Sequence, residues 1–341
     1  MGPVGKIKLT IAIPTYNRNE ILKKNIAFLL PQLTHEIALV IYDNCSDTPV
    51  ADTLSQELHD YPFLKIIRNI VNIGACGNII KCIELCETQW IWLLSDDDAA
   101  REDAITTILK YIIDYPGVHY VNFKSDYTLQ RDQNILVTGE NEFIEKADNM
   151  NNLFLISLGL YNVTAIRPFI RFAYLFSYSF VPHFVMLIVS LKNSGKVVFS
   201  KDPVISSQGR HTDPTKVWSY LPLCLGLPTL VELPLNLTKE NYDRILQFIK
   251  YDIITRPFTS LERVLSLYKR ENISVLKYNF SQPYLRLGTG ISFFWKLEYF
   301  VCVIILKSPF LIGIFLSQMS RLRNKFKKPA TLFPPDRFNR I

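Results

Sequence analysis

Trp90-Ile91-Trp92-Leu93-Leu94-Ser95-Asp96-Asp97-Asp98 sets an apolar run directly against three adjacent carboxylates. A short apolar run bounded by polar residues reads as a buried strand. Like charges side by side at its end repel one another unless water, backbone donors or a divalent cation takes up the charge. The stretch therefore points to a sheet whose strand ends face a metal-bridged phosphate ligand.

Working outward, Ile7, Leu9, Ile11 and Ile13 alternate with Lys8, Thr10 and Ala12, which is strand periodicity, and Pro14 is expected to end that strand. Helical spacing follows over Arg18–Leu33, then a strand over Glu36–Tyr42, a helix over Val50–His59 and a strand over Lys65–Arg68. A helix over Gly74–Glu87, the strand Trp90–Leu94, a helix over Glu102–Asp114 and a strand over Val118–Lys124 complete the first third. Strands alternating with helices predict an α/β fold, a Rossmann-like, mostly parallel sheet with helices on both faces.

In such sheets a ligand binds beyond the carboxyl ends of the strands. The polar residues gather there: Pro14-Thr15-Tyr16-Asn17-Arg18 after the first strand, Asp43-Asn44 after the second, Arg68-Asn69 with Asn72 and Gly74 after the third, and the aspartates after the fourth. Each alone reads equally as an ordinary polar loop. Together they converge on one edge.

These four strand ends resemble the family 2 glycosyltransferases of the GT-A fold, in order and in spacing, over about the first third of the chain. The resemblance implies that Pro14–Arg18, Asp43, Asn44, Asn72 and Gly74 form the nucleotide side of the site. Thr15, Tyr16, Arg18 and Asp43 would touch the nucleoside, Asp43 accepting from a pyrimidine ring. The commoner family pattern is an Asp, a small residue and two Asp, with a further acid five residues on. Counting back from Asp103 sets Asp97 and Asp98 on the metal-ligating acids and leaves the ribose contact to Ser95 or Asp96. Mn²⁺ or Mg²⁺ suits a site of few carboxylates completed by phosphate oxygens and water. The Ser-Asp-Asp-Asp form is similar to that of the subgroup transferring dideoxyhexoses such as abequose.

The chemistry implied is inverting transfer of a sugar from a nucleoside diphosphate. The metal would neutralise charge developing on the leaving group, while the acceptor hydroxyl needs a base within hydrogen-bond reach. Leu155–Ile170, apolar but broken by Asn162 and Thr164, predicts a strand facing the acceptor. Pro182-His183 opens a helix running to Lys192, where the family carries an acid. The resemblance thus gives His183 as base or acceptor ligand, with a helix-start hydrogen-bonder as the competing reading. Asp126 and Asp213 are the fallback bases. Ser206–Trp218, after a strand over Val197–Ile205, mixes Gly, Pro, charges and a Trp, as a loop closing on an anion would. Arg210 and Lys216 would neutralise diphosphate oxygens, and the family implies His211 as a third metal ligand. A solvated surface loop is the alternative.

Leu235–Lys269 is amphipathic and helical with Pro257 as a break, and Ile291–Met319 is strongly apolar but interrupted by Lys296, Glu298, Lys307 and Pro309. A spanning helix needs ~20 predominantly apolar residues, so two short in-plane or re-entrant helices are expected. After Gln318 come seven basic residues and one acid, which accounts for six of the seven net positive charges in 341 residues. A basic tail beside interfacial aromatics fits an anionic membrane surface, and a buried helix with a solvated end is the alternative. The rest of the chain is nearly neutral, which excludes a nucleic-acid-binding face.

Six cysteines show no metal-site spacing and read as reduced packing residues of a reducing cytoplasm. The N-terminus leads into a strand without an apolar leader, as expected of a protein that is not exported. The expected organisation is a nucleotide-sugar half over 1–125, an acceptor half over 126–235 and a helical membrane-associating region over 236–341. The expected partners are a nucleoside-diphosphate sugar and a lipid-linked saccharide, polyprenyl diphosphate-linked, at the cytoplasmic face of the plasma membrane. The competing classes are a non-catalytic saccharide-binding or assembly protein on the same scaffold and a sugar-nucleotide pyrophosphorylase. A Rossmann dehydrogenase is excluded, because no glycine follows the first strand.

Overall fold

The structure, a computed structural model, describes residues 7–125, 131–206, 226–250, 256–267, 273–287 and 291–325. Its strands are β1 (Leu9–Thr15), β2 (Ile37–Asp43), β3 (Leu64–Arg68), β4 (Trp90–Leu93), β5 (Tyr120–Lys124), β6 (Ile135–Thr138), β7 (Gly159–Asn162) and β8 (Lys196–Pro203). They form one sheet in the order β3-β2-β1-β4-β7-β5-β8-β6. The pairs β3-β2, β2-β1, β1-β4 and β5-β8 are parallel, and β7 joins the two parallel groups by running antiparallel to both β4 and β5. The connecting helices of this first unit are α1 (Asn19–Leu29), α2 (Gln56–His59), α3 (Gly74–Glu84), α4 (Ala104–Asp114), α5 (Gly139–Lys146), α6 (Met150–Phe154), α7 (Val163–Ile166), α8 (Ile170–Leu175) and α9 (Pro182–Ser190).

Strand β1 continues through Pro14, contrary to expectation, because Pro14 pairs with Tyr42 of β2 and lies beyond Leu93, the last β4 partner, opposite Ala12. A missing N–H beyond the end of the neighbouring ladder removes no sheet hydrogen bond. The expected strand over Leu155–Ile170 shrinks to β7, with a turn before it and α7 after it. Asn162 closes β7 by donating its side-chain amide to the Val118 carbonyl at 3.1 Å. The edge strand β6 was not foreseen. No disulfide links Cys45, Cys76, Cys82, Cys86 or Cys302, and Cys82 and Cys86 pack inside the core as expected.

The described residues divide into two compact units. Those within 7–177, 181–206 and 234–237 form the first, and those within 178–180, 226–233 and from 238 onward form the second. In the second unit lie α10 (Lys239–Gln247), α11 (Pro257–Leu267), α12 (Ile273–Leu287), α13 (Phe293–Ile305) and α14 (Pro309–Lys325). Pro257 begins α11, as suits a residue whose missing N–H would go unbonded there. Glu298 of α13 caps that end, accepting from the Phe258 N–H at 3.0 Å and from Arg256 Nη2 at 3.0 Å. No helix among the described residues is long and apolar enough to cross a membrane.

The first unit is tied together by buried Arg131. Its guanidinium donates to both Asp148 oxygens at 2.9 and 2.8 Å, to the Asn122 side chain at 2.9 Å and to the Asn122 and Ser200 carbonyls, and it lies over the Phe199 ring. Arg131→Met should leave the Asp148 carboxylate without its cation and lower unfolding free energy by about 3–5 kcal/mol, to be read from urea unfolding.

Candidate active site

Parallel pairing of β1 with β4 brings the residues after both strands side by side. Thr15 Oγ1 donates to Asp96 Oδ2 at 2.7 Å, and Asn25 Nδ2 donates to the Asp96 carbonyl at 2.8 Å. Ser95 Oγ donates to Asp97 Oδ1 at 2.5 Å, and the Ser95 N–H is held by Ser157 Oγ at 2.8 Å. Arg18 Nη1 lies between the two acids, 2.9 Å from Asp96 Oδ1 and 3.2 Å from Asp97 Oδ2. Every side-chain oxygen of Asp96 and Asp97 thus accepts a hydrogen bond. All three aspartates are at most 7% exposed. Burial raises the Asp96 pKa, with the Asp97 carboxylate adding to the rise and Arg18 and Thr15 opposing it.

A second cluster forms where β1 and β2 end together. Asn17 takes the left-handed conformation (φ 53°), which asparagine tolerates better than most residues. Its side chain exchanges hydrogen bonds with Asp47, accepting from Asp47 N at 2.7 Å and donating to Asp47 Oδ2 at 3.0 Å. Asp43 is fully buried; it accepts from the Ser46 N–H at 2.8 Å, from the Val50 N–H at 3.3 Å and from Arg68. Burial pushes its pKa up, but these hydrogen bonds outweigh it and hold the group below its ordinary value. Asn44 donates to Asn72 Oδ1 at 2.7 Å and accepts from Asn69 at 2.9 Å and from the Ile73 N–H at 3.0 Å. Asn72 Oδ1 also accepts from the N–H of Gly74, whose φ of 77° starts α3. Lys81 Nζ reaches Asn69 Oδ1 at 2.6 Å from inside α3.

Thr15, Arg18, Ser95, Asp96 and Asp97 therefore share one hydrogen-bonded cluster, with Asp98 closing the turn through its N–H to the Ser95 carbonyl at 3.3 Å. Asn17, Asp43, Asn44, Asn72 and Gly74 lie in the neighbouring loops, and the Tyr16 side chain, between the clusters in sequence, is 40% exposed. His183 is the second residue of α9 and is buried; its Nε2 donates to the Phe154 carbonyl at 3.1 Å, and its Nδ1 meets no hydrogen-bond partner among the described residues. Burial lowers its pKa to about 4, so the ring is neutral. Asp126, Arg210, His211, Asp213 and Lys216 lie outside the described residues. Arg68, Asn69, Asn78, Lys81 and Ser157 join the site architecture without having been selected. Only Arg68-Asn69, at a strand end, carried a signal.

Hard carboxylate oxygens flanking a cationic nitrogen suit Mg²⁺ or Mn²⁺ in chemistry. Among the described residues no three acidic, histidine or cysteine side chains form a ligand cluster. A metal here would take few protein ligands, and Arg18 would have to yield its place between the acids.

Because the Asp43 pKa is lower folded than unfolded, its stabilising effect is fully present above the unfolded value of about 3.9 and is lost as pH falls through the folded value. Asp43→Asn should lower stability at neutral pH and flatten that acid-side loss. Urea unfolding at a series of pH values measures both.

Residues 10–173 match the model of glycosyl transferase family 2. A stretch of 113 residues is 25% identical to an uncharacterized glycosyltransferase of Haemophilus influenzae, covering 33% of this chain and 37% of that protein. The crystal structure of S. aureus TarS 1-349 superposes with a TM-score of 0.56 at 11% identity, covering 88% of this chain and 91% of the other. The complex of the same fragment with UDP-GlcNAc gives 0.55 at 12% identity, covering 93% and 86%. At such identity these structures speak for the fold. The strand order and these likenesses give the described residues the GT-A fold, and residues 10–173, just under half of the chain, are similar to glycosyl transferase family 2.

Proposed function

We propose that this chain is a metal-dependent, inverting glycosyltransferase that moves a sugar from a nucleoside-diphosphate donor to a hydroxyl of a lipid-linked saccharide. The observation that carries the reading is the Arg18–Asp96–Asp97 cluster at the ends of β1 and β4, the edge where such sheets bind ligands. A buried carboxylate pair already organised around a cation is suited to a ligand that brings its own anionic oxygens. The family and the basic tail together support assembly of bacterial surface polysaccharide, O-antigen or capsule, at the cytoplasmic membrane face.

In this reading Asp97 and Asp98 hold the metal, which supplies neutralisation of the diphosphate leaving group. Ser95 orients Asp97, while Thr15 and Asn25 fix Asp96, so the carboxylates need little reorganisation when the donor arrives. Arg18, once displaced from Asp97, offers its guanidinium to phosphate oxygens. The Asn44–Asn72–Asn69 network and the Asp43–Arg68 pair set the loops that receive the nucleoside. His211 is the proposed third metal ligand, and Arg210 and Lys216 complete the anion site. For the base a carboxylate, Asp126 or Asp213, is favoured over His183, because an imidazole buried and held near pKa 4 takes up a proton poorly.

Incubation with UDP-, CDP-, dTDP- and GDP-sugars and Mn²⁺ or Mg²⁺ tests the reading. One donor should be bound and slowly hydrolysed, and Asp97→Asn and Asp98→Asn should each cut turnover by about a hundredfold or more while leaving the fold intact. A chain that binds no donor, or variants with unchanged rates, would reject it. Arg18→Met should lower the melting temperature in EDTA by exposing the repulsion between Asp96 and Asp97. Added Mn²⁺ should restore more of that loss than it adds to the wild type; equal shifts in thermal unfolding would show that Arg18 and the metal do not compete.

A further inference from the structure

We infer that the outward face of α13, continued by the first turns of α14, docks on an anionic lipid bilayer. This deepens the membrane part of the reading above, and it stands on a surface remote in sequence from the donor residues. Helix α13 is apolar on its outer face as well as its inner one. The side it turns to its own unit carries Trp295, Glu298, Cys302 and Leu306, with the charged Glu298 only 7% exposed. Its opposite side carries Phe293, Phe294, Leu297, Phe300, Val301 and Ile304, all exposed, with Phe293 and Phe294 at 75%. After the turn at 306–308, α14 adds Phe310 at 74% and Ile314. Helical residues three and four apart share a face, so the outward set forms one continuous stripe along α13.

A helix that packed only against protein in water would place its phenylalanines inward and its glutamate outward. Here the inner face is fixed by the Glu298 cap on α11 and by the stacking of Tyr299 on Phe280. The apolar stripe makes no comparable use of itself, and apolar patches of this extent are uncommon on monomeric soluble proteins.

Charge selects the occupant. Between Phe293 and Lys325 the one acid is the buried Glu298, whereas Lys296, Lys307, Arg321, Arg323 and Lys325 are basic. Lys296 lies in α13 one turn from Phe293 and Phe300, and Lys307 follows in the turn after the helix. Both lysines are exposed. A second copy pressed face to face would set these lysines against one another, since a twofold interface repeats the same patch on both sides. An anionic bilayer instead takes the phenylalanines among its acyl chains and the lysines at its phosphates.

The test uses the full chain with vesicles of phosphatidylcholine alone and of phosphatidylcholine with about one-third phosphatidylglycerol. Flotation should show binding that is stronger on the anionic vesicles and weakened by salt. The triple change Phe293→Ser, Phe300→Ser and Phe310→Ser should reduce it by about tenfold or more with an unchanged circular dichroism spectrum. Lys296→Gln with Lys307→Gln, a gentler change, should remove the preference for phosphatidylglycerol. Absence of vesicle binding, or a triple variant that floats like the wild type, overturns the proposal. So does self-association in place of vesicle binding, abolished by the triple change, which assigns the stripe to a second copy. Donor binding measured in parallel separates the two readings: vesicle binding without it sinks the transferase alone, and donor binding without vesicles sinks the docking face alone.

Discussion

Neighbouring carboxylates repel one another, the more so out of water, and this chain buries such a pair at the end of a central strand. Arg18 resolves the repulsion by placing one guanidinium nitrogen against both Asp96 and Asp97. That contact links the loop after β1 to the loop after β4, which the register between Ala12 and Leu93 has already brought alongside. Sheet order, loop conformation and charge therefore depend on one another. Without β1 beside β4, Asp96 and Asp97 would lose the guanidinium they share.

The loops on the other side of β1 are organised by a different means, mostly neutral amides. Asn17, Asn44, Asn69, Asn72 and Asn78 satisfy one another and the backbone at the ends of β1, β2 and β3. Asparagine serves here because its amide both donates and accepts, so one side chain bridges an N–H and a carbonyl across neighbouring loops. The ion pair of this group joins fully buried Asp43 to the exposed Arg68, and Asp43 accepts from backbone N–H groups as well. A nucleoside received by such loops would meet surfaces that are set before it arrives, with little ordering entropy left to lose.

Alternation made β1 readable and apolar runs β2 and β4, strands buried on both faces, whereas the helix expected over Val50–His59 is α-helical only over Gln56–His59. The aspartates were equally plain. Arg18 was legible as a site residue through its place after β1, but its pairing with two acids some eighty residues away was not, since no local rule couples side chains across a sheet. The β6 edge was missed because Ile135-Leu136-Val137 is too short to separate from a loop. The role of Arg131 escaped for the same reason as Arg18's pairing: a buried cation is recognised by what surrounds it, and Asp148, Asn122 and Ser200 converge on it only in three dimensions. Asp43 illustrates a further limit. Its type and position were noted, yet its carboxylate is committed to its own loop and to Arg68.

Helix α13 turns an apolar face outward, and this has a structural cause. The first turn of α11 leaves the Phe258 N–H without an intrahelical acceptor, and Glu298 reaches it from α13. A glutamate committed inward fixes the rotation of α13 about its axis, and the residues one, four and seven positions before or after the opposite face follow from helical geometry. Phe293, Leu297, Phe300 and Ile304 are thereby turned outward whether or not anything covers them. Satisfying the Phe258 N–H leaves the unit an exposed apolar stripe. A water-soluble surface would select against such a stripe, whereas a surface meeting lipid would retain it.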